Sequence, residues 1–141
     1  MVYKKGLIGV VDDELDIAQL FRDALQTTNG VTIFAFTDPE AALEHFTLNR
    51  EDYTLIISDL SMPSINGMEL IKKIKEMNPY IRTILMTAFA INDDLFQEYA
   101  KKELINGFVQ KPIHLGDLLA EVNNQLYTYE LEKQVSFIKI R

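Results

Sequence analysis

Several apolar segments of the chain end in a polar residue that could take part in chemistry. Two adjacent carboxylates, Asp12 and Asp13, follow the first such segment, and Asp59 follows a later one. Thr87 and Lys111 follow two further segments. Taken singly, an aspartate in this position is more often a turn residue or a helix cap, and a lysine is more often a solvated surface residue. The five side chains therefore indicate a site only if the fold brings them together.

The residue types at these five positions suit metal-assisted phosphoryl transfer. Three carboxylates in one crevice repel one another unless a cation neutralises them. Oxygen ligands in a chain without cysteine favour Mg²⁺, which keeps several waters and leaves positions for phosphate oxygens. A carboxylate can attack phosphorus when a metal, an ammonium group and a hydroxyl stabilise the transferring oxygens. We therefore predict that Asp59 accepts a phosphoryl group at a Mg²⁺ site, with Lys111 as the ammonium group and Thr87 as the hydroxyl.

The segments that position these residues alternate between two hydrophobic patterns. Short, continuously apolar runs are typical of strands buried on both faces, and apolar residues three and four apart are typical of helices. The first pattern predicts strands over residues 7–11, 31–36, 53–58, 82–86 and 108–110. The second predicts a helix after each strand, with apolar faces that include Ile17, Leu20, Phe21, Ala24 and Leu25 in the first helix, Leu70, Ile71 and Ile74 in the third, and Leu115, Leu118, Leu119, Val122 and Leu126 in the last.

Turn and cap residues predict where several helices begin and end. Asn29–Gly30 ends the first helix, because this pair favours a turn. Asp38 and Pro39 form an N-cap and a first helical position for the second helix, which we expect to reach about Leu48. The fourth helix is expected over about residues 93–103.

Strict alternation of strands and helices predicts an α/β fold. Parallel strands need crossover connections, and these connections are right-handed. Five units suit a doubly wound five-stranded parallel sheet of flavodoxin-like order 2-1-3-4-5, with helices on both faces. In this order the carboxyl ends of the strands before Asp12, Asp59, Thr87 and Lys111 meet at one edge, which is where such sheets bind ligands.

Composition limits the class of protein. The chain has 141 residues, 48% of them hydrophobic and 25% charged, which fits one globular domain. A net charge of −7 opposes non-specific attraction to nucleic acid and to anionic lipid, and no apolar run approaches the roughly 20 residues of a membrane span. The N-terminus has no apolar signal segment, and the absence of cysteine excludes disulfides. We expect a cytoplasmic protein that acts on a protein partner.

Four short motifs stand in order along the chain. They are Val-Val-Asp12-Asp13-Glu14, Ile-Ile-Ser-Asp59-Leu-Ser-Met-Pro63 with Gly67, Met-Thr87-Ala88 and Gln-Lys111-Pro112. Together they resemble the receiver domain of two-component response regulators, over about residues 7–126. Their order and strand context make the match specific. The resemblance implies a phosphorylation-activated signalling switch and no enzyme, although the domain would assist its own phosphotransfer and dephosphorylation.

The resemblance also implies a metal site and a phosphoryl donor. Asp13 and Asp59 would bind Mg²⁺ directly, and Asp12 would bind it mainly through water. The backbone carbonyl of Ser61, two positions past the acceptor, would complete the ligands that the protein supplies. Asp59 would take its phosphate from a phosphohistidine on a sensor histidine kinase or on a histidine phosphotransfer protein.

A second set of implied roles concerns the response to phosphorylation. Lys111 would hold one phosphate oxygen and the Thr87 hydroxyl would swing toward another, while Phe108 turns inward to fill the vacated space. The change would create a new surface on the last two βα units. The Lys111–Pro112 peptide bond is expected to be cis. Phe89, two positions past Thr87, is bulky and apolar, and we expect it to hinder the hydrolytic water and to prolong the phosphorylated state.

The output of the switch is expected to be a protein contact. Only about fifteen residues follow Leu126, too few for a helix-turn-helix. We interpret residues 1–126 as a stand-alone receiver domain and residues 127–141 as a C-terminal extension, either a helix continuation or a linker or tail. The extension would prolong the last helix and then carry an alternating apolar segment formed by Val135, Phe137 and Ile140. The expected partners are the kinase or phosphotransfer protein and a downstream protein target. Neither nucleic acid nor membrane is expected to bind directly, and a homodimer through the last two βα units is open.

Two rival functions belong to other classes. A metal-dependent phosphohydrolase would also form an aspartyl-phosphate, but its nucleophile lies in a D-x-D motif, whereas Asp12 and Asp13 are adjacent. A phosphorylation-independent interaction module is the second rival, because a fold does not determine function. The complete acidic set, together with Thr87 and Lys111, argues against the second rival.

Overall fold

The computed structural model describes residues 6–27, 30–88 and 94–140. Asn29, Phe89 and Asp93, for which expectations are stated above, lie outside these residues. No helix in the described part of the chain is both long and apolar enough to cross a membrane.

The central element is a parallel sheet of five strands, which are β1 (Leu7–Val11), β2 (Thr32–Phe36), β3 (Tyr53–Asp59), β4 (Arg82–Thr87) and β5 (Gly107–Gln110). Their order in the sheet is β2-β1-β3-β4-β5. The predicted α/β class, strand direction and strand order are confirmed. The strands β1, β3 and β4 are mostly buried, as expected for a sheet covered on both faces, whereas the edge strands β2 and β5 are less buried.

A helix follows each strand. Asp38 caps the second helix as predicted, because its side chain accepts a hydrogen bond from the Glu40 N–H. Asn66 caps the third in the same way, through the Glu69 N–H, and the sequence analysis overlooked this cap. The helices are α1 (Leu15–Leu25), α2 (Pro39–Leu48), α3 (Gly67–Met77), α4 (Asp94–Lys101) and α5 (Leu115–Ile140).

The last helix, α5, is 26 residues long and continues through residues 127–140. The alternating apolar segment proposed from Val135 onward is therefore wrong, because this stretch is helical. The helical spacing was present in the sequence: Tyr127, Leu131 and Val135 lie four residues apart, which places them on one side of a helix, and all three are exposed.

Apolar side chains pack on both faces of the sheet. On one face α1 and α5 cover the sheet, and on the other α2 and α3 do so. The helical contributions are Phe21, Leu25, Leu118 and Val122 on the first face and Ala42, Phe46, Leu70 and Ile74 on the second. A smaller group beside β4 consists of Met68, Ile71, Leu85 and Ile105, with Leu60, Tyr99 and Phe108 packed against it.

One residue of the predicted apolar face of α1 points away from the core. Leu20 is 48% exposed, whereas Ala18, which the prediction left out, is buried. A helix turns by about 100° per residue, so Leu20 lies about 200° around the axis from Ala18. The face toward the sheet is centred between Ala18, Phe21 and Leu25, and Leu20 falls outside it.

His45 fills a position among aromatic rings on the α2 side of the sheet. Its Nδ1 lies 2.6 Å from the hydroxyl of the fully buried Tyr53, and its ring centroid lies 4.4 Å from that of Phe34. Burial raises the pKa of the Tyr53 phenol. The place of His45 in the fold is a packing role.

A polar network lies at the amino-terminal edge of the sheet. The side-chain oxygen of Asn106 accepts hydrogen bonds from Lys75 Nζ at 2.9 Å and from the Thr83 N–H at 3.0 Å. Gln125 donates to the Asn106 carbonyl at 3.1 Å and accepts from Arg82 Nε at 2.7 Å. These bonds join α3, β4 and α5 at residues that are far apart in sequence.

Lys75 is buried in this network, with an exposed fraction of 8%. Burial lowers the pKa of its ammonium group to about 8, and Arg82 acts in the same direction, while Glu132 and Glu103 raise it. In the unfolded chain the pKa of Lys75 is near its ordinary value of 10.5. Between these two values the unfolded state binds more protons, so this group destabilises the fold at neutral pH and its cost falls as the pH rises.

We predict that Lys75→Met removes this pH dependence. From about pH 7 to about pH 9.5, the unfolding free energy of wild type should rise relative to that of Lys75→Met by on the order of 1–2 kcal/mol. Urea denaturation across this range measures the difference. Lys72→Met, at an exposed position of α3, is the matched control and should show no such trend. A pH-independent difference for Lys75→Met would contradict the prediction.

Candidate functional site

Three carboxylates meet at the carboxyl-terminal edge of the sheet. Asp12 and Asp13 directly follow β1, and Asp59 is the last residue of β3. Because β1 and β3 are neighbours, one oxygen of each side chain lies within 4.8 Å of the others. Asp12 and Asp59 are buried, whereas Asp13 is exposed and opens the group to solvent.

Asp12 is buried in this arrangement and only one of its two carboxylate oxygens has a hydrogen-bond partner among the described residues. Its Oδ1 accepts a hydrogen bond from the Glu14 N–H at 2.9 Å, whereas its Oδ2 is buried without a hydrogen-bond partner among the described residues. Burial raises the pKa of the Asp12 carboxyl, and the charges of Asp59 and Asp13 add to this effect. The Glu14 bond and the charge of Lys111 oppose it. Further positive charge beside Asp12 would therefore lower its pKa toward the ordinary value.

Lys111 supplies one positive charge directly to Asp59. Its Nζ lies 3.0 Å from Asp59 Oδ1, in a pair whose carboxylate is buried and whose ammonium is partly exposed. The backbone holds Lys111 in place, because its N–H donates to the Thr87 carbonyl at 2.7 Å. The Lys111–Pro112 peptide bond is cis, as the resemblance predicted.

Thr87 ends β4, the strand between β3 and β5, and is 1% exposed. It therefore lies between the strand that carries Asp59 and the strand that leads to Lys111. The side chain of Gln110 also reaches Thr87, since its Nε2 donates to the Thr87 carbonyl at 3.1 Å. The sequence analysis gave Gln110 no role, although it directly precedes Lys111.

The loop after Asp59 is tied back to the sheet. The Leu60 N–H donates to the Met86 carbonyl at 3.0 Å, and the Gly67 N–H donates to the Leu60 carbonyl at 2.9 Å. Gly67 has to be a glycine, because a Cβ at this position would collide with the Asp59 carbonyl oxygen. Ser61 is exposed in this loop. The role of its carbonyl as a metal ligand stays a prediction.

Phe108 lies on β5 and is half-buried. It packs against the group of apolar residues that includes Leu85 of β4 and Ile105, with Tyr99 of α4 on the same side. Phe108 is three residues before Lys111, so one short segment carries both the partner of Asp59 and an aromatic side chain at the surface of the core.

The residues present fit a hard divalent cation such as Mg²⁺. The possible ligand atoms are carboxylate oxygens of Asp12, Asp13 and Asp59, the donor type that Mg²⁺ prefers. No described residue donates to the buried Asp12 Oδ2, and a cation or a cation-bound water would satisfy this oxygen. Lys111 balances only part of the negative charge of the three groups, which leaves room for a divalent ion.

The sequence of this chain is similar to those of several known proteins. The DNA-binding transcriptional regulator NtrC of Proteus hauseri is 30% identical over 131 residues, which are 93% of this chain and 27% of NtrC. The response regulator receiver protein CpdR of Brucella abortus is 28% identical over 120 residues, covering 83% of this chain and 93% of CpdR. This chain thus spans about a quarter of the length of NtrC and nearly the length of CpdR.

A solved structure is similar to this chain in both fold and sequence. The response regulator receiver domain protein of Clostridium thermocellum has a TM-score of 0.77 and 28% identity, covering 89% of this chain and 98% of that chain. The family model for the response regulator receiver domain matches residues 8–123, which include β2 to β5, all of β1 except Leu7 and the whole acidic group. The chain therefore belongs to the response regulator receiver domain family, whose members are phosphorylation-dependent signalling switches of two-component systems.

Proposed function

We propose that Asp59 is the phosphoryl acceptor of this switch and that a sensor histidine kinase or a histidine phosphotransfer protein is the donor. The observation that carries the proposal is the pairing of Asp59 Oδ1 with Lys111 Nζ at 3.0 Å, in a group where Asp12 and Asp13 approach the same carboxylate within 4.8 Å. A structural aspartate has no need of two further carboxylates, since they add repulsion. An acceptor needs them to hold a metal ion.

Each residue of the site would have a separate role in the phosphoryl transfer. A carboxylate oxygen of Asp59 attacks phosphorus, the bond from phosphorus to the donor imidazole breaks, and that nitrogen keeps the electron pair. Bound Mg²⁺, held by Asp12, Asp13, Asp59 and the Ser61 carbonyl, would neutralise charge on the transferring oxygens. Lys111 exchanges its pairing with the free carboxylate for a phosphoryl oxygen, so its charge stays compensated.

Thr87 and Phe108 would transmit the change. The Thr87 hydroxyl would hydrogen-bond a phosphoryl oxygen, and the movement would free space on the side of β4 where Phe108 packs. Phe108 already packs against the apolar group that contains Leu85 and Ile105, so an inward rotation of its ring would bury more apolar surface. The surface formed by α4, β5 and α5 would change in consequence.

The proposed output is binding to a protein target. The net charge of −7 opposes a direct contact with nucleic acid. The DNA-binding name of the NtrC relatives belongs to proteins of which this chain covers about a quarter, so it does not assign DNA binding to this domain. The same surface of α4, β5 and α5 would also support a homodimer. We propose a cytoplasmic location, because the proposed donor is a histidine kinase or a phosphotransfer protein.

We predict that the chain incubated with acetyl phosphate and Mg²⁺ gains one phosphoryl group in its intact mass. The adduct should be absent in Asp59→Asn, because an amide is a poor nucleophile toward phosphorus. It should be reduced by on the order of tenfold or more in Lys111→Ala, which loses the compensating charge. Asp52→Asn removes an acidic residue before β3, at the other end of that strand, and is the matched control.

Two results would replace the proposal with a rival. Repeated turnover of a phosphate ester, with inorganic phosphate released in excess over protein, would indicate a phosphohydrolase. Absence of an adduct with acetyl phosphate, phosphoramidate and a phosphorylated histidine phosphotransfer protein would indicate a phosphorylation-independent interaction module.

The metal site generates a separate prediction. Asp12→Asn should raise the unfolding free energy without Mg²⁺ by about 1 kcal/mol, because it removes a buried charge while its side-chain oxygen can still accept from Glu14. Wild type should gain thermal stability on addition of Mg²⁺, and Asp12→Asn should gain much less. Differential scanning calorimetry with and without Mg²⁺ measures both effects. Asp16→Asn, at an exposed position of α1, should respond to Mg²⁺ like wild type.

The coupling through Thr87 is tested with beryllofluoride, which stands in for the phosphoryl group on Asp59. Beryllofluoride with Mg²⁺ should change amide hydrogen exchange of β5 severalfold in wild type and by less than half as much in Thr87→Ala, because the hydroxyl no longer draws β4 toward the anion. Mass spectrometry of the β5 peptide measures the change. An equal response in both proteins would show that Thr87 does not couple the site to Phe108.

A further inference from the structure

The carbonyl of Thr87 accepts two hydrogen bonds from successive residues. The Lys111 N–H donates at 2.7 Å, and the Gln110 side-chain nitrogen donates at 3.1 Å. The first bond continues the pairing of β4 with β5, whereas the second depends on the side chain at position 110. Because the acceptor is a carbonyl, the amide nitrogen of Gln110 must face it, which determines the orientation of the amide.

Gln110 is the last residue of β5 and pairs with Thr87 in the register of the two strands. Its side chain is otherwise exposed and borders a cavity of 450 Å³ that Phe108 and Lys111 also line. A glutamine that only filled a surface position would have no reason to turn its amide back onto the neighbouring strand. The bond therefore ties the ends of β4 and β5 together beside the Asp59–Lys111 pair.

We propose that Gln110 is a positioning residue that holds Thr87 in the conformation in which Asp59 pairs with Lys111, here called the resting conformation. Gln110 would thereby set the balance between the resting and the phosphorylated conformations. This proposal rests on the proposed role of the Thr87 hydroxyl. The hydroxyl and the carbonyl belong to one residue, so a shift of the strand end toward Asp59 displaces the carbonyl from Gln110. The Lys111 bond persists more readily, because the backbone of β5 can follow β4 while the glutamine side chain stays at the surface.

The direction of the effect follows from this geometry. The Gln110 bond is present in the resting conformation described above and is weakened when Thr87 moves. Removal of the hydrogen bond from Gln110 to Thr87 therefore favours the phosphorylated conformation. One net hydrogen bond changes an equilibrium by about three- to tenfold, and a partly exposed bond belongs in the lower part of that range.

The test compares the affinity for beryllofluoride in the presence of Mg²⁺. Gln110→Met keeps the length of the side chain and removes the donor, and Gln110→Ala is a second variant without a donor. Both should bind beryllofluoride about three- to tenfold more tightly than wild type. Gln134→Met, at an exposed position of α5, is the matched control and should bind like wild type.

A second readout separates positioning from a general effect on stability. In a Thr87→Ala background the hydroxyl is absent, so Gln110→Met should change the affinity by less than about twofold. Affinities of Gln110→Met equal to or weaker than wild type would overturn the proposal, as would an equal gain with and without the Thr87 hydroxyl. If wild type itself binds no beryllofluoride, or binds it equally after Asp59→Asn, the proposed function of the site fails instead.

Discussion

The constraint on which the structure depends is the burial of negative charge at one edge of the sheet. Asp12 and Asp59 are buried beside Asp13, and the described residues supply one close cation, Lys111. Removing an ionised carboxylate from water costs several kcal/mol unless a partner compensates it. Asp13 is exposed at the same place, so a divalent cation would reach the group from solvent, and the repulsion among the three carboxylates would favour its binding.

Strand order and two polar anchors maintain this arrangement. The order β2-β1-β3-β4-β5 brings the end of β4 between the acidic strands and β5. At the opposite edge of the sheet, Asn106 links β4 to α3. Gln125 links β4 to α5, because it accepts a hydrogen bond from Arg82. Glu132, also on α5, accepts a second bond from Arg82 Nη1 at 3.2 Å. Thr83 and Thr87 thus lie at opposite ends of β4, with the first held by a buried network and the second by two bonds from β5.

The sequence predicted those features that local pattern determines. Apolar runs located the strands, and the residues that follow them located the acidic group, because carboxyl ends of parallel strands share one edge. The outward position of Leu20 was missed, since apolar spacing shows which residues share a helix face and not which part of that face the sheet covers. The Asn106–Gln125 link and the Gln110–Thr87 bond were missed because each joins residues about twenty apart in sequence, and their partners are backbone carbonyls present at every position.

The coupling of β4 to β5 explains how a change of charge at Asp59 could reach the surface of the domain. Phosphorylation replaces a carboxylate charge by a group with more charge and more acceptor oxygens, farther from β3. Lys111 can follow it through its flexible side chain, but Thr87 is held through its backbone by Lys111 and Gln110. A movement of Thr87 therefore either breaks a hydrogen bond or carries β5 along. Phe108 lies on β5 and is half-buried against β4, so the strand that leads to Lys111, the partner of Asp59, also carries the aromatic residue that such a movement would repack.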